Sequence, residues 1–254
     1  MADASYDGLC LSFDLDWAPE FVLEDFHDLL RFAGLPATLF CTHRSEMVGK
    51  LLELPACEAA LHPNLQDADD EPAALRQLHD DFRGASGVRV HRLYYHSGLL
   101  RLFHEAGLRY LSNDLEFLTG GLGPRYDWSE MVRLPIYWED DVHATLLPDR
   151  FDLDALRLEA GGLKVLSFHP IHLYLNTSGM DRYLACKGDL RDPDKMRAQR
   201  RAGKGARTLF EALVNGARGR RFARLGEVAD AFLAAAPHSE RHARFMALRE
   251  KGTE

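Results

Sequence analysis

Short apolar runs alternate along the chain with segments in which apolar residues recur at helical spacing. Runs of five to seven residues are typical of buried strands, and the longer segments are typical of amphipathic helices. In the first part of the chain the predicted strands are residues 9–15, 37–42 and 57–62, and the predicted helices are residues 20–34, 45–54 and 71–84.

The same alternation continues after a looser region that ends near Trp128. The predicted strands are residues 87–90, 108–112, 131–138 and 163–168, and the predicted helices are 97–107, 151–161, 206–217 and 225–235. Gly34, Gly107 and Gly161 fall where helix C-caps are expected. About seven strands result, each followed by a helix or a long loop.

This order of elements predicts an α/β fold in which parallel strands are joined by crossover helices. About seven such units favour a closed or nearly closed barrel. An open, doubly wound sheet is the alternative, although no glycine-rich phosphate motif follows the first strand. Because no internal repeat or linker marks a boundary, we expect one domain over residues 1–254, with the motif-bearing region at about 9–233.

Composition narrows the class of protein further. The net charge of −8 argues against nucleic acid as a partner, and the locally basic residues 195–224 are more typical of a solvated helix face. Neither a signal peptide nor an apolar stretch of about 18 residues is present, so we expect a cytoplasmic protein without a membrane span. The four cysteines form no CxxC pair, which makes disulfides and a thiolate metal site unexpected. The oligomeric state is left open.

Polar side chains collect where the predicted strands end. Asp14 and Asp16 close the first strand, and residues two apart on a strand share a face. Two carboxylates this close repel each other unless a cation lies between them or one is protonated. The pair therefore indicates a metal site or an acid/base pair, and the alternative is that one of them caps the following helix.

Histidines mark three further strand ends. His62 closes the third strand, His91 follows Arg89 on one face of the fourth, and His169 closes the strand at 163–168. Three acids follow residues 131–138 in the same way. Since strand ends converge in a barrel, this set predicts a mononuclear divalent-metal hydrolase, although any one of these histidines alone could be structural.

These segments, in this order, resemble the five motifs of the polysaccharide deacetylase superfamily, the NodB-homology carbohydrate esterases. The motifs are SFDLDW, ALHPN, VRVH, RLPIYWEDD and LSFHPIH, and RLGEVADAFL resembles the last helix of that superfamily. The likeness is greatest to the divergent, WbmS-like branch found in bacterial O-antigen clusters. It implies a distorted (β/α)7 barrel and a metal-dependent deacetylase.

The resemblance also implies roles for single residues. Asp14 matches the general base, Asp16 and His62 match metal ligands, and His169 matches the general acid. The arginines that orient or tune the base are matched by Arg89 and Arg133.

Two departures from the family pattern affect the metal site. The family's adjacent aspartates are separated here by Leu15, and Gln66 stands where a second metal histidine is usual. We therefore expect His91 to be the third ligand, with His96 and Asn64 as the alternatives, and Zn²⁺ to be the metal.

The implied substrate is a small N-acylated sugar or nucleotide sugar, with a place in surface-polysaccharide biosynthesis. Trp17, Tyr94, Tyr95 and Trp138 are candidates for walls against a sugar ring, unless they fill the core. The other candidate substrate-binding residues are Asn64, Arg89 and His172, and we expect His172 and Asn176 to line the mouth or support His169. Two alternatives stay open: a barrel amidohydrolase acting on a non-sugar amide, and a binding or regulatory barrel that has lost the chemistry.

Overall fold

A computed structural model describes residues 7–216, 219–239 and 243. Its strands form one nine-stranded sheet in the order β6-β7-β5-β4-β3-β2-β1-β9-β8. The strands are β1 Gly8–Asp14, β2 Ala37–Cys41, β3 Cys57–Leu61, β4 Gly87–Val88, β5 Tyr110–Leu111, β6 Arg125–Tyr126, β7 Val132–Arg133, β8 Ile136–Glu139 and β9 Leu163–Phe168.

Helices connect these strands and cover the outside of the sheet. The α-helices are α1 Glu20–Ala33, α2 Glu46–Leu52, α3 Glu71–Asp81, α4 Ser97–Glu105, α5 Asp140–Leu146, α6 Pro170–Leu175, α7 Met180–Cys186, α8 Pro193–Ala198, α9 Ala206–Asn215 and α10 Leu225–Ala235. Short 3₁₀ helices lie at His91–Leu93, Leu153–Leu156 and Lys187–Asp189. Among the described residues, no helix is both long and apolar enough to cross a lipid bilayer.

The strand β1 lies inside the sheet, between β2 and β9, and pairs with both in parallel. All other pairings are parallel too, except that β6 runs antiparallel to β7. The carboxyl ends of the parallel strands therefore meet at one edge, where Asp14 ends β1 and Glu139 ends β8. This edge carries the candidate site.

The sheet curls towards closure because residues 111–118 hydrogen-bond to the segment that leads into β8. The N–H of Leu134 donates to the carbonyl of Leu111 and that of Ile136 to Asp114, while the N–H of Glu116 donates to Ile136. The predicted strand 131–138 is split at Pro135, which has no N–H to donate to a ladder. The fold-class prediction of a distorted β/α barrel is confirmed.

Local sequence signals account for most of the helix boundaries. Gly34 ends α1 in the left-handed conformation with a φ of 59°, and Gly107 has a φ of 73°, as expected of C-cap positions. The side chains of Ser45 and Asp70 accept hydrogen bonds from the first turns of α2 and α3. Gly161 is no helix C-cap, because only the short 3₁₀ helix Leu153–Leu156 forms in the predicted helix 151–161.

The structure contains helices that the sequence pattern did not predict. The helix α5 begins at once after β8, and α6, α7 and α8 lie between β9 and the predicted helix 206–217. Each of these four is only six or seven residues long, too short to show a helical period. The predicted end of the helix at Ala217 lies outside the described residues.

Candidate active site

Three potential metal ligands lie together at the carboxyl ends of β1, β3 and β4. The Oδ1 atom of Asp16 is 3.3 Å from Nε2 of His62 and 3.2 Å from Nδ1 of His91. The two imidazole nitrogens are 3.4 Å apart. We call Asp16, His62 and His91 the ligand triangle.

The geometry of the ligand triangle fits a small divalent cation. Ligands about 2.0–2.1 Å from a tetrahedral Zn²⁺ are separated from one another by about 3.3–3.4 Å. Asp16 Oδ1 is buried and makes no well-aligned hydrogen bond, so the two imidazole nitrogens beside it leave its bonding capacity available to a cation. The other ring nitrogen of His62 lies 2.8 Å from the carbonyl oxygen of Arg89, an arrangement that directs Nε2 into the triangle.

The charge state of Asp16 also suits a cation. Burial alone would raise the pKa of this carboxyl, but the His62 and His91 imidazoles outweigh burial and hold the pKa well below 3.8. Metal ligands must be deprotonated, and Asp16 is ionised across the physiological range.

A left-handed turn explains how Asp14 and Asp16 both reach the site although Leu15 separates them. Leu15 is buried in the core, and Asp16 then takes a φ of 46°. The Thr42 hydroxyl donates a hydrogen bond to the Asp16 carbonyl and holds this turn. The extra residue is thus absorbed by the backbone, and both carboxylates border the same cavity.

Asp14 is held by Arg89, a fully buried arginine whose N–H groups all donate hydrogen bonds inside the barrel. Its guanidinium donates to Asp14 Oδ1 at 2.6 Å and to the Ser167 hydroxyl at 2.7 Å. It also donates to the carbonyl and hydroxyl oxygens of Ser112, both at 2.9 Å, and to the Ser12 hydroxyl at 3.2 Å. Arg89, predicted as a substrate-binding residue, is fully buried and borders neither cavity, and it holds Asp14 instead.

His169 forms a close pair with Asp140 across from the ligand triangle. Its Nδ1 lies 2.7 Å from Asp140 Oδ1, and its backbone N–H donates to Asp140 Oδ2 at 2.8 Å. Burial alone would lower the pKa of His169, but the charge and hydrogen bond of Asp140, with a smaller effect of Asp16, raise it well above 6.5. The imidazole is therefore held protonated, as a general acid requires.

Glu139 is a site residue that sequence reasoning did not single out. Its carboxyl lies within 4.8 Å of ligand atoms of Asp14 and His169, and it borders the same cavity. Burial, followed by the charge of Asp141, raises the pKa of Glu139 to about 8. The three acids that follow the predicted strand 131–138 were the available signal. They include Glu139 and also Asp140, the partner of His169.

The raised pKa of Glu139 predicts a pH-dependent stability cost. The folded-state pKa exceeds the ordinary value of 4.5, so the unfolded chain ionises first and stability falls as pH rises from about 4.5 to 8. Glu139→Gln removes this term. In chelator-treated protein, the advantage of the variant in unfolding free energy should grow by about 3 kcal/mol between pH 5 and 7.5.

Urea unfolding of both proteins at the two pH values measures that difference. Glu53→Gln, at an exposed position on the surface, is the matched control and should not change with pH. If the difference in unfolding free energy between Glu139→Gln and the parent protein is the same at both pH values, then Glu139 is ionised in the folded protein.

Two cavities meet at the ligand triangle. The inner cavity, about 230 Å³, lies between the triangle and the side chains of Val90, Leu93, Leu115, Glu139 and Val142. The outer groove, about 270 Å³, extends from the triangle to Trp17, Arg92, Ile171, Tyr183, Lys187 and Leu190. Asp14, Asp16, His91 and His169 border both cavities, so a bound molecule could pass from one to the other over the candidate catalytic groups.

Several predicted site residues lie elsewhere. Trp138 is fully buried, packs on Phe168 and donates its N–H to His143, so it is no wall for a sugar. Arg133 makes a two-pronged ion pair with Asp114 and does not contact Asp14. The structure therefore brings neither side chain to the candidate site.

Other candidates are displaced in the same way. Asn64 binds Asp67 at 3.0 Å and borders neither cavity, so the structure does not bring it to the candidate site. His96 binds Glu71 and is absent from the ligand triangle, and Gln66 is exposed. The side-chain amide of Asn176 forms hydrogen bonds with backbone groups of residues 201–208, so it does not line the mouth.

Two of the predicted substrate-binding residues lie close to the catalytic groups. Trp17 is 51% exposed and lies edge-on to the His91 ring, with centroids 5.0 Å apart. His172 is buried behind His169, with ring centroids 5.5 Å apart, and its Nδ1 lies 3.1 Å from the Thr177 hydroxyl. Trp17 therefore faces the outer groove, whereas His172 borders neither cavity and supports His169.

Comparison with known proteins gives one family. The model of the WbmS-like polysaccharide deacetylases matches residues 11–187. A crystal structure from Bordetella bronchiseptica, described as a polysaccharide deacetylase involved in O-antigen biosynthesis, is 33% identical, with a TM-score of 0.78 over 85% of this chain and 93% of that chain. No curated protein sequence gives a significant match.

More distant structures share the fold. A polysaccharide deacetylase from Mycobacterium smegmatis is 18% identical, with a TM-score of 0.60 over 92% of this chain and 93% of that chain. A 4-alpha-glucanotransferase from Thermococcus litoralis is 16% identical, with a TM-score of 0.54 over 89% of this chain and 38% of that chain. At these identities the likeness concerns architecture alone.

Proposed function

Because this chain belongs to the WbmS-like polysaccharide deacetylases, we propose that it is a metal-dependent hydrolase that removes the N-acyl group, in the first instance acetyl, from an acylated amino sugar or nucleotide sugar used in making a surface polysaccharide. The family acts on acetylated carbohydrates. Which kind of sugar is deacetylated, and whether it is linked to a nucleotide, are what we propose. A cytosolic location and a single domain over residues 1–254 belong to the same proposal.

One observation carries the proposal. The ligand triangle, the Asp14–Arg89 pair and the His169–Asp140 pair surround a single point where the two cavities meet. Hydrolysis of an amide needs an electrophilic centre, a base for the attacking water and an acid for the leaving nitrogen. Groups suited to all three tasks border the same space.

We assign Asp16, His62 and His91 as the residues that hold the metal, with Zn²⁺ the ion that a mixed set of imidazole and carboxylate ligands favours. When bound, a divalent cation polarises the acyl carbonyl and makes water more acidic. The third ligand, His91, takes the place that Gln66 leaves open.

The proton transfers fall to this chain's own residues. Asp14 accepts the proton of the attacking water, and the buried Arg89 keeps its carboxylate fixed towards the cavity. His169, protonated through its pairing with Asp140, donates to the departing amine nitrogen. Asp140 is thus a positioning residue, since it acts through His169.

The two cavities suit the two sides of an acylated amine. Val90, Leu93, Leu115 and Val142 give the inner cavity apolar walls that match a short acyl chain. The outer groove is larger, bordered in part by Trp17, and matches the sugar.

The direct test measures both products. Purified protein is incubated with N-acetylated hexosamines, free, nucleotide-linked and in oligosaccharides, and with a simple non-sugar acetamide. We expect acetate and free amine in equal amounts from at least one sugar, loss of both in Asp14→Asn, and loss with chelator that a divalent metal reverses. Faster release from the non-sugar amide would favour the alternative amidohydrolase, and no release from any compound would contradict the proposal.

The His169–Asp140 pair predicts a shift in the pH profile. Activity requires protonated His169, so kcat/KM should fall at alkaline pH as this group loses its proton. Asp140→Asn removes the charge that raises the pKa of His169, and the alkaline limb should move to lower pH by about 1 unit or more.

The profile is measured between pH 6 and 10 for both proteins. Asp141→Asn, which removes a neighbouring charge without a hydrogen bond to His169, is the control and should give a smaller shift. An unchanged alkaline limb in Asp140→Asn would assign that limb to another group.

A further inference from the structure

Two cationic side chains, Arg92 and Lys187, border the outer groove from different parts of the chain. Arg92 follows the ligand His91, and Lys187 lies just after α7. Both are exposed, and within residues 7–216, 219–239 and 243 neither forms an ion pair or a side-chain hydrogen bond. By contrast, the nearby Lys195 pairs with Asp189 at 2.7 Å. These two charges are free to meet a ligand.

The backbone holds Arg92 at the junction of the two cavities. Arg92 has a φ of 59° and Leu93 a φ of 52°, a left-handed conformation that is unfavourable for side chains with a β-carbon. Such strain persists where the surrounding structure enforces it, and it collects at functional sites. The turn places Arg92 beside the inner cavity and the outer groove at once.

The acidic charge of the protein makes the two cations Arg92 and Lys187 significant for the kind of ligand that the groove binds. The chain carries a net charge of −8, and Asp14 and Asp16 border the floor of the groove. Because Asp14 is paired with Arg89, an anionic ligand is opposed mainly by the net charge of the whole chain, and cations beside the groove offset that repulsion where the ligand enters. Arg92 and Lys187 supply positive charge at the rim of the same groove.

Aromatic side chains in the groove indicate what the rest of the ligand is. Trp17 exposes half of its surface, and Tyr183 packs edge-on against His172, with centroids 4.8 Å apart. Ile171 and Leu190 add apolar surface nearby. Ring faces flanked by cations suit a sugar that carries an anionic group.

We propose that the outer groove binds an acylated sugar bearing an anionic group, a phosphate or a carboxylate, which Arg92 and Lys187 bind while the ring packs on Trp17. The inference rests on the proposed deacetylase function and adds the substrate class. It assigns Arg92 and Lys187 as binding residues that select charged over neutral sugars.

Binding is measured separately from turnover, by calorimetry on metal-loaded His169→Ala protein. The probes are N-acetylglucosamine, its 1-phosphate and its 6-carboxylate (the uronic acid). We expect at least one anionic probe to bind about 10-fold or more tightly than the neutral sugar, with the advantage shrinking as salt rises from about 0.02 to 0.3 M. The probe that binds best distinguishes phosphate from carboxylate.

Variants then test the two residues in the same background. Arg92→Gln and Lys187→Gln should each reduce the ratio of anionic to neutral affinity by about 5- to 10-fold, and Lys187→Arg should preserve it. Arg182→Gln, an equal charge change at an exposed residue of α7 outside the groove, is the control and should leave the ratio unchanged.

Equal affinity for charged and neutral probes, no binding of any probe, or a preference that survives both Gln variants would overturn the substrate class. Acetate release by the parent enzyme from a neutral sugar would leave the deacetylase function standing in each of these cases. Conversely, selective anion binding without acetate release from any substrate would support the groove and contradict the function.

Discussion

Replacing His169 with alanine should lower kcat/KM by about 10² to 10⁴, and Asp14→Asn should cause a loss of the same order. These two residues move protons in one transition state, so the double variant should lose far less than the product of the single losses. Metal content should stay the same, because neither side chain belongs to the ligand triangle. Steady-state kinetics on the best acetylated sugar measures the effect.

His79→Ala, a histidine on α3 that borders neither cavity, is the control for replacing an imidazole and should retain full activity. Circular dichroism and metal analysis show whether each variant is folded and loaded. A folded, metal-loaded Asp14→Asn protein with near-parental activity would refute the assignment of the base, and Asp141 would then be the next carboxyl to test.

The second large effect concerns the metal itself. His62→Ala and His91→Ala each remove one of three proposed ligands, and each should weaken divalent-metal affinity by more than about 100-fold, the upper range for groups that only support a ligand. Activity should fall with the metal content. Competition with a chromophoric chelator gives the affinity, and elemental analysis gives the stoichiometry.

His96→Ala is the matched control, because this histidine follows His91 closely in sequence and binds Glu71 away from the triangle. It should keep both metal and activity. Stoichiometric metal in His91→Ala together with its loss in His96→Ala would exchange the roles of these two residues, and metal retained in all three variants would place the site elsewhere.

Much of the barrel was predictable because its strands are buried and its longer helices are amphipathic. The structure of the region after β7 was not predictable, because it depends on single residues and short segments that show no periodic pattern. Pro135 interrupts what looked like one strand and lets β7 pair with β5 while β8 pairs with β9. The predicted helix 151–161 is instead mostly turns, and the connection after β8 is made by the short helix α5.

The site residues that were predicted correctly as neighbours follow from convergence alone. Asp16, His62 and His91 end different parallel strands, and such ends meet. The places of Trp138 and Glu139 could not be predicted, because they depend on the direction in which each side chain points from β8. A register shift between Ile136 and Trp138 changes those directions. A bulge of this kind reverses the alternation from which facing residues are inferred, so Trp138 enters the core and Glu139 reaches the cavity.

The position of β1 between β2 and β9 divides the site into two parts that are synthesised at different times. The ligand triangle, within residues 14–91, belongs to β1 and the strands on one side of it, whereas Glu139, Asp140 and His169 belong to β8, β9 and their ends on the other side. During synthesis the first half leaves the ribosome well before β9. On the proposed assignments, a nascent chain would hold all three metal ligands before it has the proton donor, and docking of β9 on β1 would complete the site.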